Sequence, residues 1–214
     1  MSEPAGGDRR AAAGQVAADV ADETRAVRAA VDAVRRGDRE AFGKLVERYE
    51  RRLFGLTLMA VRDPAAAEEV AQDAFVRAFT HLDAYDEQRP FYPWLATIAV
   101  RLSQNWLRAR ARQGGHASVP LDPNLDAGSG PDPLAEIVAD ERDRRLWRLV
   151  AALPSGQRTA VFLHYRQQMK VDEVARALGV TSGTVKTLLF RARRRLREAM
   201  AADAGAARGE EKST

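Results

Sequence analysis

Apolar positions in this chain recur at i, i+3, i+4 and i+7, the spacing that lines one face of an α-helix. The clearest instance is Val171, Val174, Ala175 and Leu178, a short stripe that Gly179 ends, because glycine tolerates the left-handed backbone of a helix stop. Thr181 or Ser182 then offers a hydroxyl to cap the next helix, in which Val185, Leu188, Leu189, Ala192 and Leu196 keep the period. That spacing turns Gly183, Thr187, Phe190, Arg191 and Arg194 to the opposite face, flanked by Lys186 and Arg197. Two short amphipathic helices joined by a Gly-containing turn, the second basic and outward-facing, describe a helix-turn-helix for the DNA major groove. The plainer alternative is a solvated Arg-rich helix that closes a bundle.

Upstream, Phe42, Leu45, Val46, Tyr49, Leu53 and Leu56 form the stripe of a core helix that Asp38 can cap. A weaker helix over about residues 25–36 precedes it and breaks at Gly37. Asp63-Pro64 pairs a cap with proline at the first helical position, where the missing N–H leaves nothing unsatisfied, so another helix opens there and runs to about Leu82. It buries Ala67, Val70, Ala71, Ala74, Phe75 and Ala78 and exposes Glu69, Gln72, Asp73, Val76 and Thr80. Val76 on that acidic face is either a lone surface valine or the centre of a partner-binding patch. Residues 83–93 break the period with two prolines and three aromatics. A helix from about Trp94 to Arg112 then buries Trp94, Leu95, Ile98, Leu102 and Trp106 and exposes Thr97, Arg101, Gln104 and Arg108. Rings beside cations suit unpaired bases, which stack on aromatics while Arg follows the phosphates. The alternative is that Phe91, Tyr92 and Trp94 are core, the commoner fate of such rings.

Residues 113–135 are rich in Gly and Pro without a period and read as a flexible linker. The expected architecture is therefore all-α, two small helical domains over residues 25–112 and 136–200, with unstructured tails at 1–24 and 201–214. In the second domain, helices from Ile137 to Leu153 and from Ser155 onward lie under the helix-turn-helix. The net charge of +4 is modest, but residues 141–200 hold 14 Lys or Arg against 5 Asp or Glu, while 113–140 hold 5 acidic residues and no basic one. One half is built to meet a polyanion. The chain has no Cys, which excludes disulfides and thiolate metal sites. No apolar run nears ~18 residues and no signal-peptide pattern heads the chain, so a cytoplasmic protein without membrane insertion is expected. His81, His116 and His164 stand far apart in unlike contexts, so no metal, cofactor or catalytic role is expected.

Taken together, these stretches resemble bacterial RNA polymerase sigma factors of the extracytoplasmic-function (ECF) group over about residues 35–112 and 135–200. The resemblance rests on DREAFGKLVERYERRLFGLTLMAVRDPAAAEEVAQDAFVRAF, on RPFYPWLATIA and on DEVARALGVTSGTVKTLLFRAR, in that order. It implies that Glu69, Gln72, Asp73 and Val76 grip the clamp of core RNA polymerase. It implies that the loop with Tyr85, Phe91 and Tyr92, beside Arg101, Gln104 and Arg108, captures and holds the melted -10 element. Lys186, Thr187, Phe190 and Arg191, with Ser182, Thr184 and Arg194, would read the -35 element. Implied partners are core polymerase (clamp and flap), promoter DNA and an anti-sigma factor, the free chain being a monomer. Many relatives carry Asn where Arg101 stands, Asp where Asn105 stands and Gly where Gln168 stands. The competing reading is a free-standing helix-turn-helix regulator that needs no polymerase.

Overall fold

The computed structural model describes residues 6–113 and 141–210, with side chains described over 21–112 and 145–201. The described residues form eight α-helices and no strand: α1 (Gly6–Arg35), α2 (Ala41–Val61), α3 (Pro64–Thr80), α4 (Phe91–Gln113), α5 (Glu141–Ala151), α6 (Ser155–Val161), α7 (Val171–Leu178) and α8 (Ser182–Glu210). A 3₁₀ turn at Leu82–Ala84 precedes α4, and α6 runs on into a π-turn at Phe162–Arg166. Most of the expected linker lies outside the described residues. Both expected tails are in part helical: α1 reaches back to Gly6 and α8 forward to Glu210, as strings of alanine, the best helix former, allow.

Local signals set the helix ends. Asp38 Oδ1 accepts from the Ala41 N–H at 3.2 Å, and Asp63 Oδ1 accepts from the Ala66 N–H at 3.1 Å behind Pro64 at the head of α3. Gly179 stops α7 in the left-handed region, at φ 69°. Gln168 holds a left-handed backbone too, at φ 57°, a conformation that glycine adopts more readily. Its Nε2 donates to the Tyr165 carbonyl at 2.8 Å, which helps fasten the strained turn after the π-turn.

Helices α2, α3 and α4 pack together around Leu53, Leu56, Met59, Val70, Ala74 and Leu95. The buried Thr57 hydroxyl donates to the Ala67 carbonyl at 2.8 Å and ties α2 to α3. The two halves do not stand apart: α7 packs along α4, α6 meets α2, and one continuous core joins Leu53 to Leu163 and Leu189. Gly55 faces the Phe162 ring across the junction, at a distance where a Cβ would make van der Waals contact with it, 3.4 Å. Arg158, fully buried, closes the junction. It donates to the Met59 and Ala60 carbonyls at 2.6 and 3.3 Å and to those of Ala151 and Leu153 at 3.2 and 2.9 Å. Met59 and Ala60 lie in the last turn of α2 and Ala151 ends α5, where carbonyls lack intrahelical donors and the helix dipole is negative. One guanidinium thus satisfies two helix ends across the junction.

Candidate nucleic-acid interface

The basic surface starts at the turn before α8. Thr181 Oγ1 accepts from the Thr184 N–H at 3.1 Å and lies 2.9 Å from the Thr184 hydroxyl, so Thr181 is the cap. The Ser182 hydroxyl donates to Asp172 at 2.6 Å and pins the start of α8 to α7. Two of the candidate DNA residues, Ser182 and Thr184, therefore have hydroxyls already engaged within the motif. Val185, Leu188, Leu189 and Ala192 are buried, and this orients the helix. Lys186, Thr187, Phe190, Arg191 and Arg194 are all exposed on the other side. Phe190 is 61% exposed, a large ring with no intramolecular role that explains it. Arg193, Arg195 and Arg197 extend the positive surface beyond it. The geometry can place a donor fork and an apolar ring against base edges while the later arginines meet phosphate.

A second surface of different chemistry lies on α3. Glu69, Gln72, Asp73 and Val76 are all exposed, with Val76 at 61%. Gln72 Nε2 donates to Glu68 at 3.3 Å, so Glu68 belongs to the same acidic face. Carboxylates repel phosphate, so this face suits a protein and not DNA.

The third candidate surface divides. Arg101 and Arg108 are exposed on α4 with Gln104 half-buried between them. Tyr85, Phe91 and Tyr92 are only 5%, 2% and 3% exposed, which corrects the expectation that their rings offer an open stacking platform. Phe91 and Tyr92 belong to the first turn of α4, which begins three residues before the expected Trp94. The rings pack on one another and on Tyr49 and Trp94: Tyr85 to Phe91 at 5.1 Å between centroids, Tyr49 to Phe91 at 5.5 Å, Phe91 to Trp94 at 5.4 Å. Their hydroxyls are spent as well. Tyr85 donates to the Arg89 carbonyl at 2.6 Å, Tyr92 to the Arg52 carbonyl at 3.3 Å and Tyr49 to Glu23 at 2.7 Å. Burial pushes the Tyr85 phenol up to about 12, and burial raises Tyr92 and Tyr49 as well, the latter helped by its bond to Glu23. The Arg52 guanidinium lies 3.9 Å from the Tyr92 ring centroid and donates to Gln167 at 3.0 Å, a bridge between the halves. Tyr49 and Arg52 sit within a periodic core helix, and no local signal marks them as partners of this cluster.

Among the described residues no group of His, Asp and Glu could hold a metal ion, and no helix is long and apolar enough to cross a membrane. An all-helical chain with an outward basic helix-turn-helix and a separate acidic face defines a DNA-binding protein that works with a protein partner. Residues 45–113 match the family model of Sigma-70 region 2, and residues 143–196 match that of Sigma-70, region 4. The chain is 32% identical over 162 residues to the protein named Probable RNA polymerase sigma factor RfaY of Xanthomonas campestris, covering 75% of this chain and 40% of that protein's length. It is 30% identical over 177 residues to the RNA polymerase sigma-H factor of Pseudomonas aeruginosa, covering 79% of this chain and 91% of that protein. Among solved structures, CnrH in complex with the cytosolic domain of CnrY is similar with a TM-score of 0.58 at 26% identity, over 83% of this chain and 99% of that one. The chain belongs to the RNA polymerase sigma factors, in their extracytoplasmic-function group.

Proposed function

We propose that this sigma factor joins core RNA polymerase through the α3 face of Glu69, Gln72, Asp73 and Val76, reads the -35 element with α8 and holds the melted -10 strand along α4. The observation that carries the reading is the separation of chemistries. The exposed face of α3 is acidic with an apolar centre, and the exposed face of α8 is basic with a ring. On α8, Lys186, Thr187, Phe190, Arg191 and Arg194 face the groove, and Ser182 and Thr184 set the helix's start. On α4, Arg101, Gln104 and Arg108 meet the separated strand, while Tyr85, Phe91 and Tyr92 act from beneath by fixing the loop and the helix start. The protein works in the cytoplasm beside polymerase, and an anti-sigma factor is its natural antagonist, as a chain of similar fold, the sigma factor RpoE of Bartonella quintana, is found in complex with the anti-sigma factor NepR. Its action is binding and not catalysis.

Helix α7 packs on α4. Elements centred at -35 and -10 lie about 25 base pairs apart, ~85 Å along the duplex at 3.4 Å per pair. With α7, which leads directly into α8, packed on α4, the two DNA surfaces lie too close together to reach both elements, so the halves part when the polymerase takes the chain to a promoter.

The test is pull-down and in vitro transcription with core polymerase. The Glu69→Lys, Asp73→Lys double variant should lose co-purification with core polymerase at unchanged helix content and unchanged -35 duplex binding. Survival of the pull-down would exclude the α3 face.

A further inference from the structure

Two arginines of α1 that the proposed function does not use reach the loop between α3 and α4. Arg28 and Arg35 are seven residues apart, two helical turns, and so lie on one side of α1 beside its buried Val27, Ala30 and Val31. The Arg35 guanidinium pairs with the Glu87 carboxylate, and its Nη2 donates to the Leu82 and Tyr85 carbonyls at 3.3 and 3.2 Å. Arg28 Nη2 donates to the Glu87 carbonyl at 3.2 Å. The loop also closes on itself. Asp86 accepts from the Gln88 N–H at 3.0 Å and pairs with Arg89 at 3.1 Å, and the Tyr85 hydroxyl holds the Arg89 carbonyl at 2.6 Å. Gln88 and Arg89 are left exposed on a backbone tied down from two sides. Helix α1 lies outside the stretch, residues 45–113, that matches region 2.

We propose that α1 is a brace for the loop between α3 and α4, and that Arg35 is a positioning residue that holds this loop in the shape that receives the separated promoter strand. The proposal rests on the -10 role assigned above to this loop and to α4. A loop that is ordered before the strand arrives spares the complex the entropy of ordering it on binding. Arginine suits the task because its planar fork spans several acceptors at once, which the single ammonium of lysine does not. The contacts Arg35 makes are to two main-chain carbonyls and one side chain of the loop, so it fixes backbone path and not merely a surface charge.

The experiment uses the full chain with core polymerase, on a duplex promoter and on the same promoter with a pre-melted -10 bubble. Arg35→Ala should pull down core polymerase and bind a -35 duplex as the parent does, with a melting temperature within a few degrees of it. It should transcribe the duplex template roughly five- to tenfold less and recover most of that loss on the bubble. Arg35→Lys, which can keep the Glu87 pair but not both carbonyl bonds, should fall between. Parental transcription of the duplex by Arg35→Ala overturns the brace. So does an equal loss on both templates accompanied by a lowered melting temperature, since that is a structural defect alone. The Arg101→Ala, Arg108→Ala double variant separates this from the underlying reading: if it too opens duplex promoters normally, the -10 role of α4 falls, whereas a defect there with none in Arg35→Ala removes only the brace.

Discussion

The two halves of the chain use aromatic residues in opposite ways. In the C-terminal half Phe190 stands out from α8, while in the N-terminal half Phe91 is buried against Tyr49, Tyr85 and Trp94. The same side chain is a candidate reader in one place and a core residue in the other. A helix packed by one stripe must turn the other stripe outward, so the exposure of Phe190 follows from its register with Val185, Leu189 and Ala192. Phe91 sits where a loop becomes a helix, and there the neighbours decide.

The largest expected effect tests that contrast directly. Phe91→Ala should cost about 3–5 kcal/mol of unfolding free energy in urea titration, the range for deleting a buried Phe. Phe190→Ala should change stability by no more than about 0.5 kcal/mol, as for other surface positions, yet weaken -35 binding. Comparable stability losses for the two would erase the distinction.

Next comes discrimination on α8. Arg191→Ala should lower the preference for a -35 duplex over a scrambled one by about 1–3 kcal/mol, the worth of a bidentate Arg contact to guanine. Arg195→Ala should weaken both duplexes alike, as loss of a phosphate contact does. Equal losses on both duplexes for Arg191→Ala would remove its assignment as a reader.

A smaller effect is confined to the buried ring cluster. The Tyr85 phenol is raised from 10.0 to about 12, so its neutral form is favoured in the folded chain. Its contribution to stability is complete below pH 10 and is lost as pH rises from 10 towards 12. The fall of melting temperature over that window should be shallower in Tyr85→Phe than in the parent. A parallel pair of curves would show that Tyr85 does not titrate with unfolding.

The smallest expected change is at the turn leading into the helix-turn-helix. A left-handed residue other than glycine costs roughly 1–2 kcal/mol, and glycine gives back ~0.5–1 kcal/mol through its freer unfolded state. Gln168→Gly, which sheds the strain but also gives up the bond to Tyr165, should therefore change stability by less than about 1 kcal/mol, and Gln168→Ala, which keeps the strain and loses the bond, should be less stable than both the parent and Gln168→Gly. A Gln168→Ala variant as stable as Gln168→Gly in thermal melts would mean that the left-handed backbone at this position carries no strain.

What the chain's own pattern determined is the part that repeats within a few residues. The stripes of α2, α3, α7 and α8, the caps at Asp63 and Thr181, the stop at Gly179 and the outward face of Arg191 are all relations between positions one or two turns apart. Helix geometry converts such relations into direction without further information. The tertiary structure alone decided the rest. Arg158 looks like one more basic residue of a basic half, but its acceptors at Met59 and Ala60 lie 99 and 98 residues away. Arg35 finds its partners 47 to 52 residues on, and Arg52 finds Gln167 115 residues on. The burial of Phe91 and Tyr92 likewise depends on Tyr49 of α2, more than 40 residues earlier, packing against both rings. No period relates such positions, because a contact between distant segments is set by how whole helices pack and not by the spacing within any one of them.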